Sequence, residues 1–473
     1  MSGAKAHFAE SIPYGMEIAK TRGVESTADD LIRLTNSAQH TIALTAMYWA
    51  LNPNPDSPDE NGWSETMLVK HYGADRGIEL YRALGNAANR GVRIRILTSP
   101  SFNPKNDELA KLKKAHPKQI DVHIIDMPSW YGEGFMHQKL WVFDDESVYI
   151  GSANMDWKSF TQVKELGIVL ENAAEVANEV LKFLEPWWKF SRMNPALNTA
   201  TVFDPSFQIE RKVPTWSKLV SSSEKIRNPF GSKKFRTNFN WSSPLELEIN
   251  GEYGQLALSG APVEVCAPSR TFDQDMLVNT ILGAKKRVSV CVMDFAPVSL
   301  YRGTWSDKKG KFMIGRKVAS PVWWPALIDA LLHVISTKQV HGRLLISEWA
   351  HTSVYIGSYL DALSTTANSA LVNSAMAAGK LEIRRFRVPG WQSTGPVTDR
   401  CHPNYPGHTR VGHAKYIVTD NRINVGTSNM AWDYFSTTAG ASFNANHPEL
   451  VRKLQKIFER DWRSKYASAE QHN

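Results

Sequence analysis

Short apolar runs and amphipathic helical stretches alternate along the chain, and the same succession occurs twice. The helical pattern that begins at 30 is followed by apolar strand patterns; these strands are predicted at 41–49, 92–97 and 121–125. The pattern that begins at 273 repeats this plan, with strands predicted at 287–293, 343–346 and 381–384. Each part ends in a predicted helix, at 173–189 and 448–466.

Strands that alternate with helices indicate an α/β layered architecture. We predict two pseudo-symmetric α-β-α sandwich halves, over 1–197 and 263–473, that form one bilobal unit. The connector predicted over 198–262 is rich in Ser, Pro and Lys. It is either a solvated linker or a basic flap that grips phosphates. The basic residues of its core, 218–236, are Lys218, Lys225, Arg227, Lys233, Lys234 and Arg236.

Length, charge and hydropathy narrow the classes of protein that the chain can represent. Its 473 residues suffice for two domains or one two-lobed unit. A net charge of +8 suits a polyanionic partner, either nucleic acid or an anionic membrane surface. No run of about 18 apolar residues predicts a membrane span, and the first residues lack the apolar core of a signal peptide.

Cysteine is scarce, which bears on the expected compartment. Cys266, Cys291 and Cys401 are too few for a disulfide framework, and Cys291 lies in an apolar run typical of a buried strand. Asn240 begins the glycosylation sequon in the connector. We expect a cytoplasmic or bacterial protein.

One polar motif occurs in both halves. His137, Lys139 and Asp144 follow the pattern His-x-Lys-x4-Asp, as do His413, Lys415 and Asp420. Each copy is followed, at nearly equal distance, by Gly-Ser/Thr-x-Asn; these residues are Gly151, Ser152, Asn154, Gly426, Thr427 and Asn429. Two complete copies in two similar halves predict one active site for phosphodiester chemistry.

The doubled motif resembles that of the phospholipase D superfamily, whose two His-Lys-Asp motifs meet at one site. The segments 137–144, 151–158, 161–167, 343–349 and 426–435 are similar to the animal endolysosomal branch. The resemblance implies a bilobal phospholipase D-type fold and a reaction that needs no metal or other cofactor. Members of that branch act as 5′ exonucleases on single-stranded nucleic acid, and some are linked to phosphatidyl transfer. The resemblance also implies an alternative to the cytoplasmic setting, a lysosomal, luminal protein if the chain is truncated.

The chemistry follows from the residue types. Residues two apart on a strand face the same way, so each motif projects an imidazole and an ammonium together. One imidazole can attack phosphorus while the other protonates the leaving oxygen. Lys139 and Lys415 would neutralise the transition state. Asn154 and Asn429 can donate to its equatorial oxygens, together with Ser152 and Thr427. We favour His137 as the nucleophile and His413 as the acid and base.

Other residues near the motifs have supporting roles. Asp144 and Asp420 are expected to tie down turns, and Gly151 and Gly426 to allow close backbone approach. By the resemblance, Glu165 orients a catalytic imidazole; its counterpart in the second half is Gly440. Seven aromatic residues near the predicted strand ends are candidates for substrate stacking: Tyr48, Trp49, Trp130, Tyr131, Phe295, Tyr434 and Phe435.

Three functions remain open at this point. The first is a metal-independent nuclease, which the charge and the aromatic residues favour. The second is a phospholipase D or phosphatidyltransferase acting on anionic phospholipids, and the third is a scaffold without activity. Because neither motif lacks its His or Lys, the scaffold is the weakest candidate. Cys401, His402 and His408 form an incomplete ligand set, so no metal site is predicted. The chain could act as a monomer or a homodimer.

Overall fold

The computed structural model describes residues 3–57, 60, 62–102, 107–220, 228–302, 304–306, 312–314, 321–369, 379–390 and 410–469. Five residues that the sequence analysis named lie outside this set: Lys225, Arg227, Cys401, His402 and His408.

The first half and the segment after it contain these elements in chain order: β1 (Lys5–Ser11), β2 (Val24–Ser26), α1 (Thr27–Ser37), β3 (Thr41–Ala46), β4 (Trp49–Ala50), α2 (Glu65–Tyr72), α3 (Asp75–Asn89), β5 (Arg93–Thr98), α4 (Glu108–Ala115), β6 (Ile120–Ile124), α5 (Met127–Tyr131), β7 (Leu140–Phe143), β8 (Ser147–Gly151), β9 (Met155–Asp156), α6 (Trp157–Thr161), β10 (Glu165–Glu171), α7 (Ala174–Phe190), α8 (Pro195–Asn198), β11 (Thr199–Asp204) and β12 (Ile209–Pro214).

The second half contains β13 (Leu245–Ile249), β14 (Glu252–Ala261), β15 (Thr271–Phe272), α9 (Asp273–Leu282), β16 (Arg287–Val292), β17 (Thr304–Ser306), β18 (Phe312–Ile314), α10 (Ala326–Lys338), β19 (His341–Ser347), α11 (Val354–Ala367), β20 (Leu381–Phe386), β21 (Tyr416–Thr419), β22 (Ile423–Gly426), α12 (Trp432–Ser436), β23 (Gly440–Asn446), α13 (Pro448–Trp462) and β24 (Ala467–Ala469).

Two mixed sheets with the same strand plan form the framework. The first has the order β2-β1-β10-β8-β7-β3-β5-β6. The second contains the matching series β14-β23-β22-β21-β16-β19-β20, with β13 and β24 added at its ends. In each sheet three neighbouring strands are parallel: β3, β5 and β6 in the first, and β16, β19 and β20 in the second. The strand that directly follows the motif lysine, β7 or β21, runs antiparallel to the first of these three. The predicted pseudo-symmetric α/β fold is therefore confirmed.

The local sequence explains the individual elements. In β5, Ile94 and Ile96 are buried while Arg93 is exposed, as the alternation of a strand requires. Helix α1 begins at the N-cap Ser26, whose hydroxyl accepts from the backbone N–H of Asp29 at 3.3 Å. The predicted strand 41–49 ends earlier, at Ala46, because the chain then leaves the sheet to pair with β9.

One hydrophobic core joins the halves and two others cover the outer faces of the sheets. The shared core contains side chains from both sheets and from α7 and α13, among them Trp187, Phe443 and Phe458. Helices α1 and α3 cover the outer face of the first sheet, whereas α9 and α10 cover that of the second. Because the shared core includes both halves, their relative position is fixed by packing.

The predicted connector is partly regular structure. Strands β11 and β12 form a hairpin, and β13 and β14 belong to the second sheet, where β14 pairs with β23. The second half therefore begins before 263, since β14 supplies the strand that matches β1 of the first half. Among the described residues, no helix is both long enough and apolar enough to cross a membrane.

The motif aspartates hold turns, as predicted. Asp144 accepts from the backbone N–H groups of Gln39, His40 and Thr41 at 2.7, 2.7 and 2.8 Å. Asp420 accepts from three successive N–H groups at 285–287. Burial raises the pKa of both carboxyls, but these N–H donors outweigh it and leave each pKa below its ordinary value.

We expect Asp144→Asn to lower the free energy of unfolding by about 1–2 kcal/mol. The amide replaces one of the two acceptor oxygens with an NH2 group, which cannot accept from the three backbone N–H groups. Asn tolerates the left-handed backbone at this position, where φ is 48°, so backbone strain is not added. Urea denaturation measures the change. The control is Asp145→Asn at the next left-handed position, and a loss of activity per folded molecule in Asp144→Asn would contradict a purely structural role.

Candidate active site

Backbone hydrogen bonds between the halves place the two motif histidines. The His137 N–H donates to the carbonyl of Ala439 at 3.0 Å, and the His413 N–H donates to the carbonyl of Lys164 at 2.7 Å. Each segment that leads into a motif thus forms a short bridge with the other half. The halves exchange equivalent contacts, so both are needed to build the site.

The two imidazoles and two ammonium groups meet at this junction. The rings of His137 and His413 lie with centroids 6.3 Å apart and planes inclined by 71°. Lys139 and Lys415 are buried, and each Nζ donates to the carbonyl of the histidine in its own motif. An ammonium group has three N–H donors, so each lysine retains donors for a phosphate oxygen.

Glu165 orients the imidazole of the opposite half. Both of its carboxylate oxygens lie 2.9 Å from Nδ1 of His413, and Glu165 is fully buried. The bond fixes the ring so that Nε2 of His413 is available for proton transfer. The corresponding residue of the second half is Gly440, which has no side chain to offer His137. The two histidines therefore differ in their surroundings.

Burial and like charges lower the pKa values of the basic groups. Burial is the main cause for His137, whose pKa lies well below its ordinary value, and the two lysines lower it further. Burial also lowers the pKa of His413, to about 4, although Glu165 opposes the shift. Burial and the neighbouring Lys415 hold the pKa of Lys139 well below the ordinary value, and burial lowers that of Lys415 to about 8.

The second motif asparagine is held by Tyr434, a predicted aromatic residue, and by Asp294, which the sequence analysis did not select. The side-chain N–H groups of Asn429 donate to Asp294 at 2.9 Å and to the Tyr434 hydroxyl at 3.0 Å. Tyr301 also donates to Asp294, at 2.9 Å. Asp294 is a buried carboxylate just after β16, and a charged residue at the end of an apolar run was the signal for it. Asn154 is buried at the equivalent position of the first half.

The hydroxyls next to these asparagines have a structural role, which corrects the prediction that they bind substrate. Ser152 exchanges hydrogen bonds with the backbone of Leu166, and Thr427 accepts from the N–H of Ala441. Both hydroxyl residues are fully buried. The preceding glycines allow close approach of the neighbouring strand: a Cβ on Gly151 would collide with Gly167. At Gly426, a Cβ would collide with Ser442.

The aromatic candidates separate into two groups. Tyr434 lies at the site, with its ring 5.2 Å from that of His137, and Tyr48 and Trp49 are half-buried near the end of β3. The prediction of substrate contact is wrong for four others, since their large apolar rings are buried in hydrophobic cores: Trp130, Tyr131, Phe295 and Phe435. Trp130, for example, packs on Phe190 with ring centroids 4.1 Å apart.

A buried ionic cluster supports the segment that holds His413. The Lys164 ammonium pairs with Glu10 and lies 3.2 Å from Asp461, and Arg460 pairs with both acids. Lys164 thus uses its carbonyl to hold His413 and its side chain to join β1 to α13. Sequence reasoning missed this cluster, although Glu10 stands out as a charged residue in an apolar strand pattern.

Known families match both halves of the chain. The model of the cardiolipin synthase, PLD-like domain matches residues 31–188, and that of the PLD3/4, PLD-like domain matches 205–391. Phospholipase D Z of Dictyostelium discoideum is 30% identical over 98% of this chain and 90% of its own length. The chain belongs to the phospholipase D superfamily.

Other superfamily relatives carry different names. The 5′-3′ exonuclease PLD3 of Xenopus laevis is 29% identical, over 97% of this chain and 79% of its own length. The virion nicking-joining enzyme of vaccinia virus, strain Western Reserve, is 28% identical over 97% of this chain and 88% of its own length. The chain therefore resembles the PLD3 branch, and it is a phosphodiester hydrolase.

A solved structure supports the fold. The phosphatidylserine synthase of Haemophilus influenzae aligns with a TM-score of 0.51 and 12% identity over 93% of this chain and 85% of that chain. At this identity the similarity concerns the fold alone.

We expect Lys164→Met to lower the free energy of unfolding by about 3–5 kcal/mol, because it leaves two buried carboxylates with one guanidinium between them. Activity per folded molecule should also fall, since the segment that holds His413 loses its anchor. Urea denaturation and turnover measure the two effects. Lys465→Met removes an exposed ion pair with Glu17 and should change little. Equal loss of stability in both variants would contradict the proposed anchor.

Proposed function

We propose that the protein is a metal-independent exonuclease that removes nucleotides from the 5′ end of single-stranded nucleic acid through a phosphohistidine intermediate. The observation that carries the reaction is the pair of imidazoles across the junction, 6.3 Å between centroids, each accompanied by a buried lysine. The names of the PLD3 and nicking-joining relatives and the net charge of +8 favour nucleic acid as the substrate.

The different surroundings of the histidines support different roles. A nucleophilic imidazole must be neutral, and His137, buried near two ammonium groups, loses its proton readily. A general acid must hold a proton at the start; burial lowers the pKa of His413 to about 4, and Glu165 opposes this shift by favouring the protonated form. A bound phosphodiester, being negative, would add to this effect. These relations favour His137 as the nucleophile and His413 as the acid.

The proposed reaction has two steps. In the first, the His137 imidazole forms a bond to phosphorus, the bond from phosphorus to the leaving oxygen breaks, and this oxygen takes the proton from His413. In the second, neutral His413 accepts a proton from water, the water oxygen bonds to phosphorus, and the bond to His137 breaks. Lys139 and Lys415 stabilise the negative charge of both transition states.

Hydrolysis or transfer of phospholipid headgroups is the second candidate. The relative named phospholipase D Z, at 30% identity, is the observation that favours it. The catalytic residues serve either substrate, so the two candidates differ only in what the surroundings of the site accept.

The decisive measurement is cleavage of a 3′-labelled single-stranded oligonucleotide with a free 5′-hydroxyl in the presence of EDTA. We expect a ladder that shortens from the 5′ end, and its loss in His137→Ala and His413→Ala, because each step needs both imidazoles. His333→Ala, an exposed histidine on α10, is the control. No cleavage by the intact enzyme, together with release of headgroup from phospholipid vesicles, would establish the second candidate instead.

Glu165→Gln should lower kcat by about 100-fold or more, because the carboxylate no longer orients and charges the imidazole of His413. Glu165 raises the pKa of His413, so its removal lowers that pKa and the proton is lost at lower pH. The high-pH limb of the kcat/KM profile should therefore move to lower pH. Glu171→Gln, at the far end of the same strand, is the control, and an unmoved limb in Glu165→Gln would refute this role.

A further inference from the structure

A pocket opens beside the catalytic junction in the first half. It has a volume of about 160 Å³ and lies where β3, β5 and β6 end, with α4 along one side. The walls include the aromatic residues Tyr48 and Trp49, and Ile124 is 55% exposed at its edge. The ends of parallel strands are a common place for ligand sites in α/β folds.

Hydrogen bonds connect the walls of this pocket to the residues that flank the catalytic groups. Ser99, which lines the pocket, accepts from the N–H of Met136 at 3.1 Å, and Met136 directly precedes His137. On the other side, the Tyr48 hydroxyl donates to Asp156 at 3.0 Å, and the Asp156 N–H donates to the carbonyl of Asn154 at 2.8 Å. These hydrogen bonds place the pocket walls next to the segments that carry His137 and Asn154.

The chemistry of the walls indicates what kind of group fits. Two aromatic rings and aliphatic side chains offer flat apolar contact, while Lys113 adds a positive charge at the exposed side and Asp107, the N-cap of α4, adds a negative one. The indole N–H of Trp49 and the hydroxyl of Thr98 are buried behind the walls, and Thr98 is only 3% exposed, so the surface that a ligand meets is chiefly apolar. The face of a planar ring suits such walls, and an attached phosphate suits the lysine.

We propose that this pocket binds a nucleobase of the single-stranded nucleic acid whose phosphodiester lies between His137 and His413. The proposal rests on the nuclease function inferred above and adds a binding subsite to it. An acyl chain would also contact the apolar walls, and headgroup release from phospholipid vesicles distinguishes that occupant from a base.

The test uses oligonucleotides that lack one base, with the abasic position moved stepwise from the 5′ end. For the intact enzyme we expect kcat/KM to fall about 10-fold at one position, the value that corresponds to loss of one stacked base. Ala110 is exposed on α4 and lines the pocket, so Ala110→Trp fills it from the surface. In this variant the intact and abasic oligonucleotides should be cleaved equally well.

Two further variants show whether the effect of Ala110→Trp comes from the pocket itself. Lys114→Trp adds the same ring at an exposed position of α4 outside the pocket, and it should keep the 10-fold difference. Trp49→Leu keeps an apolar wall but removes the stacking ring. This variant should reduce the difference in kcat/KM between intact and abasic oligonucleotides without filling the pocket. If intact enzyme and Ala110→Trp respond to abasic positions alike, the subsite is refuted.

The remaining outcomes separate this proposal from the proposed function. If intact enzyme hydrolyses bis(p-nitrophenyl) phosphate but no oligonucleotide, the nuclease function fails and the subsite fails with it. If oligonucleotides are cleaved without any effect of a missing base, only the subsite fails. If Ala110→Trp abolishes headgroup release from phosphatidylglycerol vesicles while oligonucleotide cleavage is unchanged, the pocket holds lipid and the proposal is overturned.

Discussion

The exchange of backbone hydrogen bonds between the halves is the constraint on which the active site depends. The N–H of each motif histidine is bonded to a carbonyl of the other half, so neither imidazole is placed by its own sheet alone. A shift of one half would move both rings and change the 6.3 Å separation between them. The common core around α7 and α13 prevents such a shift, because its side chains come from both sheets. Packing far from the chemistry therefore sets the distance that the chemistry requires.

The two backbone hydrogen bonds between the halves join equivalent positions, but the residues around them are chemically different. Lys164 and Glu165 hold His413, whereas Ala439 and Gly440 occupy the equivalent positions beside His137. Placing Glu165 in the interior is unfavourable by itself, and His413 and Lys415 compensate by keeping its pKa low despite burial. The ionic cluster around Lys164 similarly allows a charged residue to hold the His413 segment from within the protein. The two halves share one fold, and the difference at these two adjacent positions gives their imidazoles different surroundings.

The sequence predicted what depends on local spacing and missed what depends on contacts between distant segments. The doubled spacing predicted which imidazoles and lysines meet, although His137 and Lys139 precede β7 and do not lie on it, and the turn-holding role of Asp144 follows from its place at the end of that strand. The sequence could not show that Glu165 faces His413, since they are 248 positions apart and in different halves. It also could not distinguish buried aromatic residues from accessible ones, because Trp130 and Trp49 both lie near strand ends.

The two imidazoles and two ammonium groups contact only the phosphodiester group, which all candidate substrates share. They therefore cannot determine substrate specificity. It has to come from the surfaces beside them, and these differ between the halves at matching strand ends. Two residues after β3 the chain places Tyr48, which lines the pocket, whereas two residues after β16 it places Asp294, which holds Asn429. The second half uses this position to fix the amide of Asn429, and the first uses it to form a wall of the pocket. An aromatic wall at one side of a positively charged junction suits a substrate that continues beyond its phosphate as a flat ring.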